Sequence, residues 1–133
     1  MKKLPVLVIC LIGLLSCNRV MNGNKDKLVT GSWNVFETVA FQNNDDSVAT
    51  HCNACPLIVF AMDHSGYITT SGPRRFDIRW KIEEGKLTIK HAEKSKDDVV
   101  DDGTYKIIDN SVNGTHEITL YDSAKNTKYI LRK

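Results

Sequence analysis

From Gly31 onward the chain alternates between apolar and polar positions. In "GSWNVFETVAF", Trp33, Val35, Val39 and Phe41 share one side at a period of two, with Glu37 in phase among them. "RRFDIRWKIE" is cleaner: Phe76, Ile78, Trp80 and Ile82 alternate with Asp77, Arg79, Lys81 and Glu83. A period of two is the mark of a strand with one face on a core. The same period runs through "GYITT", through "KLTIKHA" with Leu87 and Ile89, and through "TYKIID" with Tyr105 and Ile107. It continues in "HEITLYD" with Ile118 and Leu120 and in "KYILRK" with Tyr129 and Leu131. "PLIVFAM" is apolar on both sides, as in a strand covered on both faces. Turn chemistry separates the runs: "DHSG", "SGP", "EEGK", "NG" at Asn113-Gly114 and "SAKN".

The pattern predicts eight short strands. Tight turns force antiparallel neighbours. Eight such strands leave exposed edges unless the sheet closes on itself. The predicted fold is therefore all-β, an eight-stranded antiparallel up-and-down barrel, with a two-sheet sandwich as the alternative. A barrel of this size is filled by its own side chains or holds one small ligand. Two connections are longer, Gln42 to Cys55 and Glu93 to Gly103; the acidic "EKSKDDVVDDG" reads as a solvated loop without calcium-loop spacing.

Ahead of Gly31 the pattern changes. Lys2 and Lys3 precede "LPVLVICLIGLL", an apolar run with the layout of an export signal. Its end, "LLSC", resembles a bacterial lipobox. The resemblance implies cleavage before Cys17, which then carries the acyl chains (palmitate among them). Stable anchoring takes more than one chain at about 0.8 kcal/mol per buried CH₂. The expected organisation is a signal peptide over 1–16, the lipidated cysteine and a polar tether over 17–27, and the barrel over 28–133. The mature chain would have 133 − 16 = 117 residues, one domain by length. The expected location is the bacterial cell envelope, lipid-anchored at the outer membrane and facing the periplasm or the surface. Removing Lys2 and Lys3 brings the formal charge from +2 to near zero. Composition thus gives no sign of nucleic-acid or anionic-surface binding.

Of four cysteines, Cys10 leaves with the signal and Cys17 is the anchor. Cys52 and Cys55 remain, in "HCNACP". Pro56 stands where c-type haem attachment needs a histidine. A structural zinc site needs four ligands, and His51, His64, His91 or His116 would complete one only through folding. A thioredoxin-like centre opens a helix, whereas this pair precedes a strand. An exported chain can keep a disulfide, here a staple on a loop end; free thiols and pairing with a partner stay open. Closing so small a ring contributes about 2 kcal/mol at most. No nucleophile elbow, H-E-x-x-H or locally supported triad is present, so the expectation is no enzyme and no cofactor.

"LVTGSWNV" resembles the G-x-W opening of lipocalins and of lipocalin-like domains in bacterial lipoproteins. The resemblance continues through "CPLIVFAMDHSGY", "WKIEEGKLTI", "YKII" and "KYILRK", covering most of 28–133. It implies a calycin-type barrel closed at one end, with Trp33 as the plug and Arg132 packed over it. The chain is shorter than lipocalins, lacks their T-D-Y-type turn and has no helix after the last strand. It further implies non-catalytic binding of a small apolar or amphipathic molecule. The expected lining is Val35, Glu37, Val39, Phe60, Phe76, Ile78, Trp80, Ile89, His91, Tyr105 and Leu120. The placement of "HCNACP" is also similar to that of the C-x-x-C in copper-responsive envelope-stress lipoproteins, which implies a metal or redox sensor at Cys52 and Cys55. A third expectation is a module that binds an envelope protein through its loops, as protease inhibitors do.

Overall fold

The computed structural model of the chain describes residues 25–42, 46–70, 72–94 and 99–133. The expected lipidation site Cys17, the expected signal peptide over 1–16 and the first part of the expected tether lie outside them. Nine strands follow: β1 Gly31–Phe41, β2 Ser47–His51, β3 Leu57–Phe60, β4 Ser65–Thr69, β5 Arg75–Glu83, β6 Lys86–His91, β7 Gly103–Asp109, β8 Glu117–Asp122 and β9 Thr127–Arg132. Each pairs antiparallel with its neighbour, and β1 pairs with both β3 and β9. β1 and β3–β9 thereby close into the eight-stranded barrel that the alternation predicts. The closing ladder runs from Asn34 opposite Arg132 to Ala40 opposite Thr127.

β2 is the strand that the pattern does not show. It lies within the predicted Gln42–Cys55 connection and pairs with β1 from Glu37 opposite His51 to Phe41 opposite Ser47. All five of its residues are exposed. A strand that covers no core carries no apolar stripe, so periodicity could not reveal it.

A bulge in β1 changes the phase of the predicted lining. Against β9, Val35 faces Leu131 but Glu37 faces Ile130, with Phe36 as the extra residue. A single extra residue reverses which side the following residues face. Leu131 and Tyr129 are buried in the interior, so their partners Val35 and Thr38 point inward. Glu37 and Val39 therefore sit on the outer wall, opposite Ile130 and Lys128, and do not line the interior.

One end of the barrel is plugged by both tryptophans. The Trp33 indole N–H donates to the Val29 carbonyl at 2.6 Å. The Trp80 indole N–H donates to Ser65 O at 2.9 Å and Ala61 O at 3.1 Å, in the β3–β4 turn. Each plug thus satisfies its one polar atom while burying its ring. A helical turn over 25–29 covers this end: Val29 is buried, and Lys25 Nζ donates to Gly85 O at 3.0 Å. Residues 25–27, expected in the tether, belong to the fold. The cation over Trp33 is Lys133, its Nζ 4.3 Å from the ring centre, and not Arg132. Alternation explains the exchange. Leu131 points inward, so Arg132 must point outward, where it stacks 3.8 Å over Phe36 and donates to Glu117 at 2.7 Å. Lys133, past the strand end, is free to curl over the indole.

Two glycines are dictated by geometry. Glu84 and Gly85, at φ 50° and 75°, form the two-residue loop between β5 and β6, where glycine is favoured because both positions are left-handed. At Gly66 a Cβ would lie 2.2 Å from Val59 O and 3.2 Å from an Ile78 side-chain carbon. Gly66→Ala should therefore lower stability by about 1–3 kcal/mol in urea unfolding. Gly72→Ala, where a Cβ meets nothing closer than 3.9 Å, should shift it by less than about 0.5 kcal/mol. Equal effects would show that β3 and β4 do not approach this closely.

Candidate functional site

The interior divides into two halves. Of the expected lining, Val35, Phe60, Ile78, Trp80, Ile89, Tyr105 and Leu120 are buried in one core, and Phe76 is half-buried. Phe60 and Trp80 pack edge to face at 5.6 Å and fill the plugged end. Near the opposite end the apolar wall gives way to polar groups. His91 ends β6 with its side chain only 1 % exposed. Tyr105 and Tyr129 meet edge to face at 6.0 Å. The Asp122 carboxylate, on a residue 4 % exposed, accepts from the backbone N–H groups of Ala124 (2.9 Å) and Lys125 (3.2 Å).

Residues 99–102 lie across this mouth as a strap. Val100 is fully buried. The Tyr105 hydroxyl donates to Asp101 O at 2.5 Å, and the Asp101 carboxylate pairs with Lys125. Asp102 Oδ1 accepts from the His91 backbone N–H and bonds His91 Nδ1, each at 2.6 Å. The segment read as a solvated loop is thus partly an inward element. Its legible signal was the Val99-Val100 pair inside an acidic run. Asp122, in phase with Ile118 and Leu120, could also have been found by alternation.

The electrostatics keep the two phenols protonated. Burial, reinforced by Tyr129, Asp122, Asp101 and Asp102, pushes Tyr105 far above its ordinary value. Burial, then Asp101 and Asp122, pushes Tyr129 up to about 12. Both rings therefore offer hydroxyl donors at any physiological pH. Burial also raises Asp102, but the His91 N–H and imidazole outweigh it and hold the carboxyl below its ordinary 3.8.

The cysteine pair sits at a different feature. β2 and β3 lie end to end along the same edge of β1. Asn34 faces Leu57 and Glu37 faces His51, so three steps along β1 match six along its partner. The surplus is looped out between His51 and Leu57. On either side of the loop the ladder resumes at once: Cys52 N donates to Phe36 O at 3.2 Å and Val35 N to Pro56 O at 2.8 Å. Cys52 and Cys55 bracket the excursion at disulfide distance, with Cα atoms 5.0 Å apart. Beside them His51 lies edge-on to Phe36 at 6.0 Å and 3.8 Å from Glu37. Among the described residues no group of three or more His, Cys, Asp or Glu is arranged to hold a metal ion.

The backbone is similar to the crystal structure of a lipocalin-like protein from Bacteroides uniformis, with a TM-score of 0.54. The alignment covers 80 % of this chain and 98 % of that one at 14 % identity. The fold is lipocalin-like. No family model and no curated protein matches the sequence. The lipocalin-like barrel thus has its plugged end at Trp33 and Trp80 and its strapped mouth at Tyr105 and His91.

The strap contacts have a pH signature. Asp102 is depressed in the folded state, so its contribution is complete above the ordinary carboxyl value and is lost as pH falls below 3.8 through the folded value. Asp102→Asn should raise hydrogen exchange at 99–103 at neutral pH and remove the acid-dependent part of that exchange. Protection unchanged by the substitution would mean that Val100 and the Asp101 contacts hold the strap without Asp102. Replacing both Cys52 and Cys55 by Ser should cost at most about 2 kcal/mol of global stability. The increase in exchange should be confined to 47–57 if the pair only pins the excursion.

Proposed function

We propose that this chain is a non-catalytic binding protein of the bacterial outer membrane, anchored through acylated Cys17. Its barrel takes a small apolar or amphipathic molecule in the half nearest the strap. One observation carries the reading. An apolar interior ends in buried polar groups, those of His91, Tyr105, Tyr129 and Asp122, beneath a cover fastened by polar contacts. A few polar groups among apolar walls fix the orientation of a ligand with one polar end. Tethers of this kind open at modest net cost, because water replaces each bond made. Ile89 and Leu120 would meet the apolar body, and Tyr105 and His91 the head group.

Native mass spectrometry of the full chain, released from its own envelope in detergent, tests this. One small molecule per chain is the expected result. Tyr105→Phe, which keeps the ring and removes the hydroxyl, should weaken retention about tenfold, the equivalent of one hydrogen bond. A chain that retains nothing and does not bind the apolar dye 1-anilinonaphthalene-8-sulfonate would overturn the reading.

A second reading, protein binding, is favoured by β2. Among the described residues this strand pairs only with β1, because β4 stops at Thr69 opposite Leu57. Its outer edge offers backbone groups to a partner strand. Ala49, opposite Val39 between two hydrogen-bonded pairs of the β1–β2 ladder, turns its N–H outward, so Ala49→Pro removes one donor there and should abolish capture of such a partner while leaving small-molecule retention intact. Metal or redox sensing at Cys52 and Cys55 has only the cysteine pair itself behind it.

A further inference from the structure

We propose that the outer wall of β5, β6 and β7 is an electrostatic docking face for an anionic phospholipid bilayer. Like charges sit directly opposite each other twice on this wall. Arg79 faces Lys90 across β5 and β6, and Lys86 faces Lys106 across β6 and β7. Such pairs destabilise a sheet, so a second role is the physical reason to look for. The outward positions of the three strands hold six cations, Arg75, Arg79, Lys81, Lys86, Lys90 and Lys106, against the carboxylates Asp77 and Glu83. Both carboxylates are engaged, Asp77 by Arg75 at 3.1 Å and Glu83 by Lys81 at 2.7 Å. Asp63, in the β3–β4 turn, lies near enough to Arg79 to feel its charge. A hollow of about 130 Å³ is lined by Arg79, Trp80, Lys81, Thr88 and Lys90, and three of these side chains carry cations that can pair with phosphate.

Two observations favour a bilayer over a protein partner. The remaining outward side chains of β6 and β7 are Thr88, Thr104 and Ile108, without the aromatic anchors that protein interfaces use. With the proposed anchor at Cys17, the tether enters the fold at Lys25, which bonds Gly85 in the β5–β6 turn. The anchored end of the chain therefore joins the barrel at the edge of this wall. Near an anionic surface each lysine is favoured, and the attraction fades within a Debye length.

The proposal rests on the membrane attachment proposed above, through acylated Cys17, and the test reads the two separately. The chain released from its own envelope in detergent is reconstituted with phosphatidylcholine vesicles, with or without phosphatidylglycerol. Flotation then reports attachment, and acetylation resolved by mass spectrometry reports docking. Lys81, Lys86, Lys90 and Lys106 should react about fivefold more slowly on phosphatidylglycerol vesicles. High salt should restore them, and Lys125 at the mouth should not change. Lys90→Glu with Lys106→Glu converts both like pairs into opposite pairs and so spares the fold. It should remove the protection of Lys81 and Lys86 while flotation persists. If the chain does not attach by itself, salt-sensitive flotation that requires phosphatidylglycerol and is lost in that double variant reads the same face. Uniform labelling, or protection insensitive to lipid charge and salt, overturns the proposal. So does binding of soluble polyphosphate without any lipid-dependent protection.

Discussion

The ladder between β1 and β9 is the contact on which the rest depends. Without it the strands form an open sheet with two unsatisfied edges. With it the inward side chains of all eight strands face one another, and Trp33, Tyr105, Leu120 and Leu131 become one core. The ladder joins residues about a hundred positions apart, so the loop-closure entropy is large and must be met by the core that closure creates. The two terminal plugs follow from the same contact. Lys133 can lie over Trp33 only because β9 ends beside the start of β1.

Closure places two demands on β1, and irregularities meet both. β1 bonds β9 along one edge and β3 and β2 in turn along the other. The bulge at Phe36 bends it and reverses its phase. That turns Glu37 and Val39 outward and brings Thr38 and Ala40 toward the core. The excursion at Cys52–Cys55 lies opposite the same point, so the surplus residues on both strands fall at one level. A staple there keeps β2 and β3 collinear on β1 whatever else the cysteines do.

Charge is sorted by the fold in a way that its sum conceals. The carboxylates of Asp101, Asp102 and Asp122 gather at the mouth, where His91, Lys125 and backbone N–H groups hold them. The cations of β5–β7 gather on the outer wall. One arrangement fastens a cover over an apolar interior, and the other leaves a positive surface with few local partners. The two can act independently, because one is made of inward contacts and the other of outward ones.

Alternation along the chain was enough to determine the all-β class, eight of the nine strands and most of the core, because a strand buried on one face must repeat every two residues. It also determined Tyr105 and His91 as inward, and the same phase extends to Asp122, since none of them lies beyond an irregularity in its strand. It could not find β2, which covers nothing and carries no stripe. It misplaced Glu37 and Val39, because a bulge is a property of how β1 meets β9 and leaves no periodic trace. The lipocalin resemblance put Arg132 over Trp33, where Lys133 lies instead, since the cation that reaches the indole is decided by where β9 ends. The placement of the strap over the mouth and the assembly of the basic wall belong to the tertiary structure. Val100 is buried only because a mouth lies beneath it, and a chain near neutrality becomes a charged face only when closure sets Arg79 beside Lys90 and Lys86 beside Lys106.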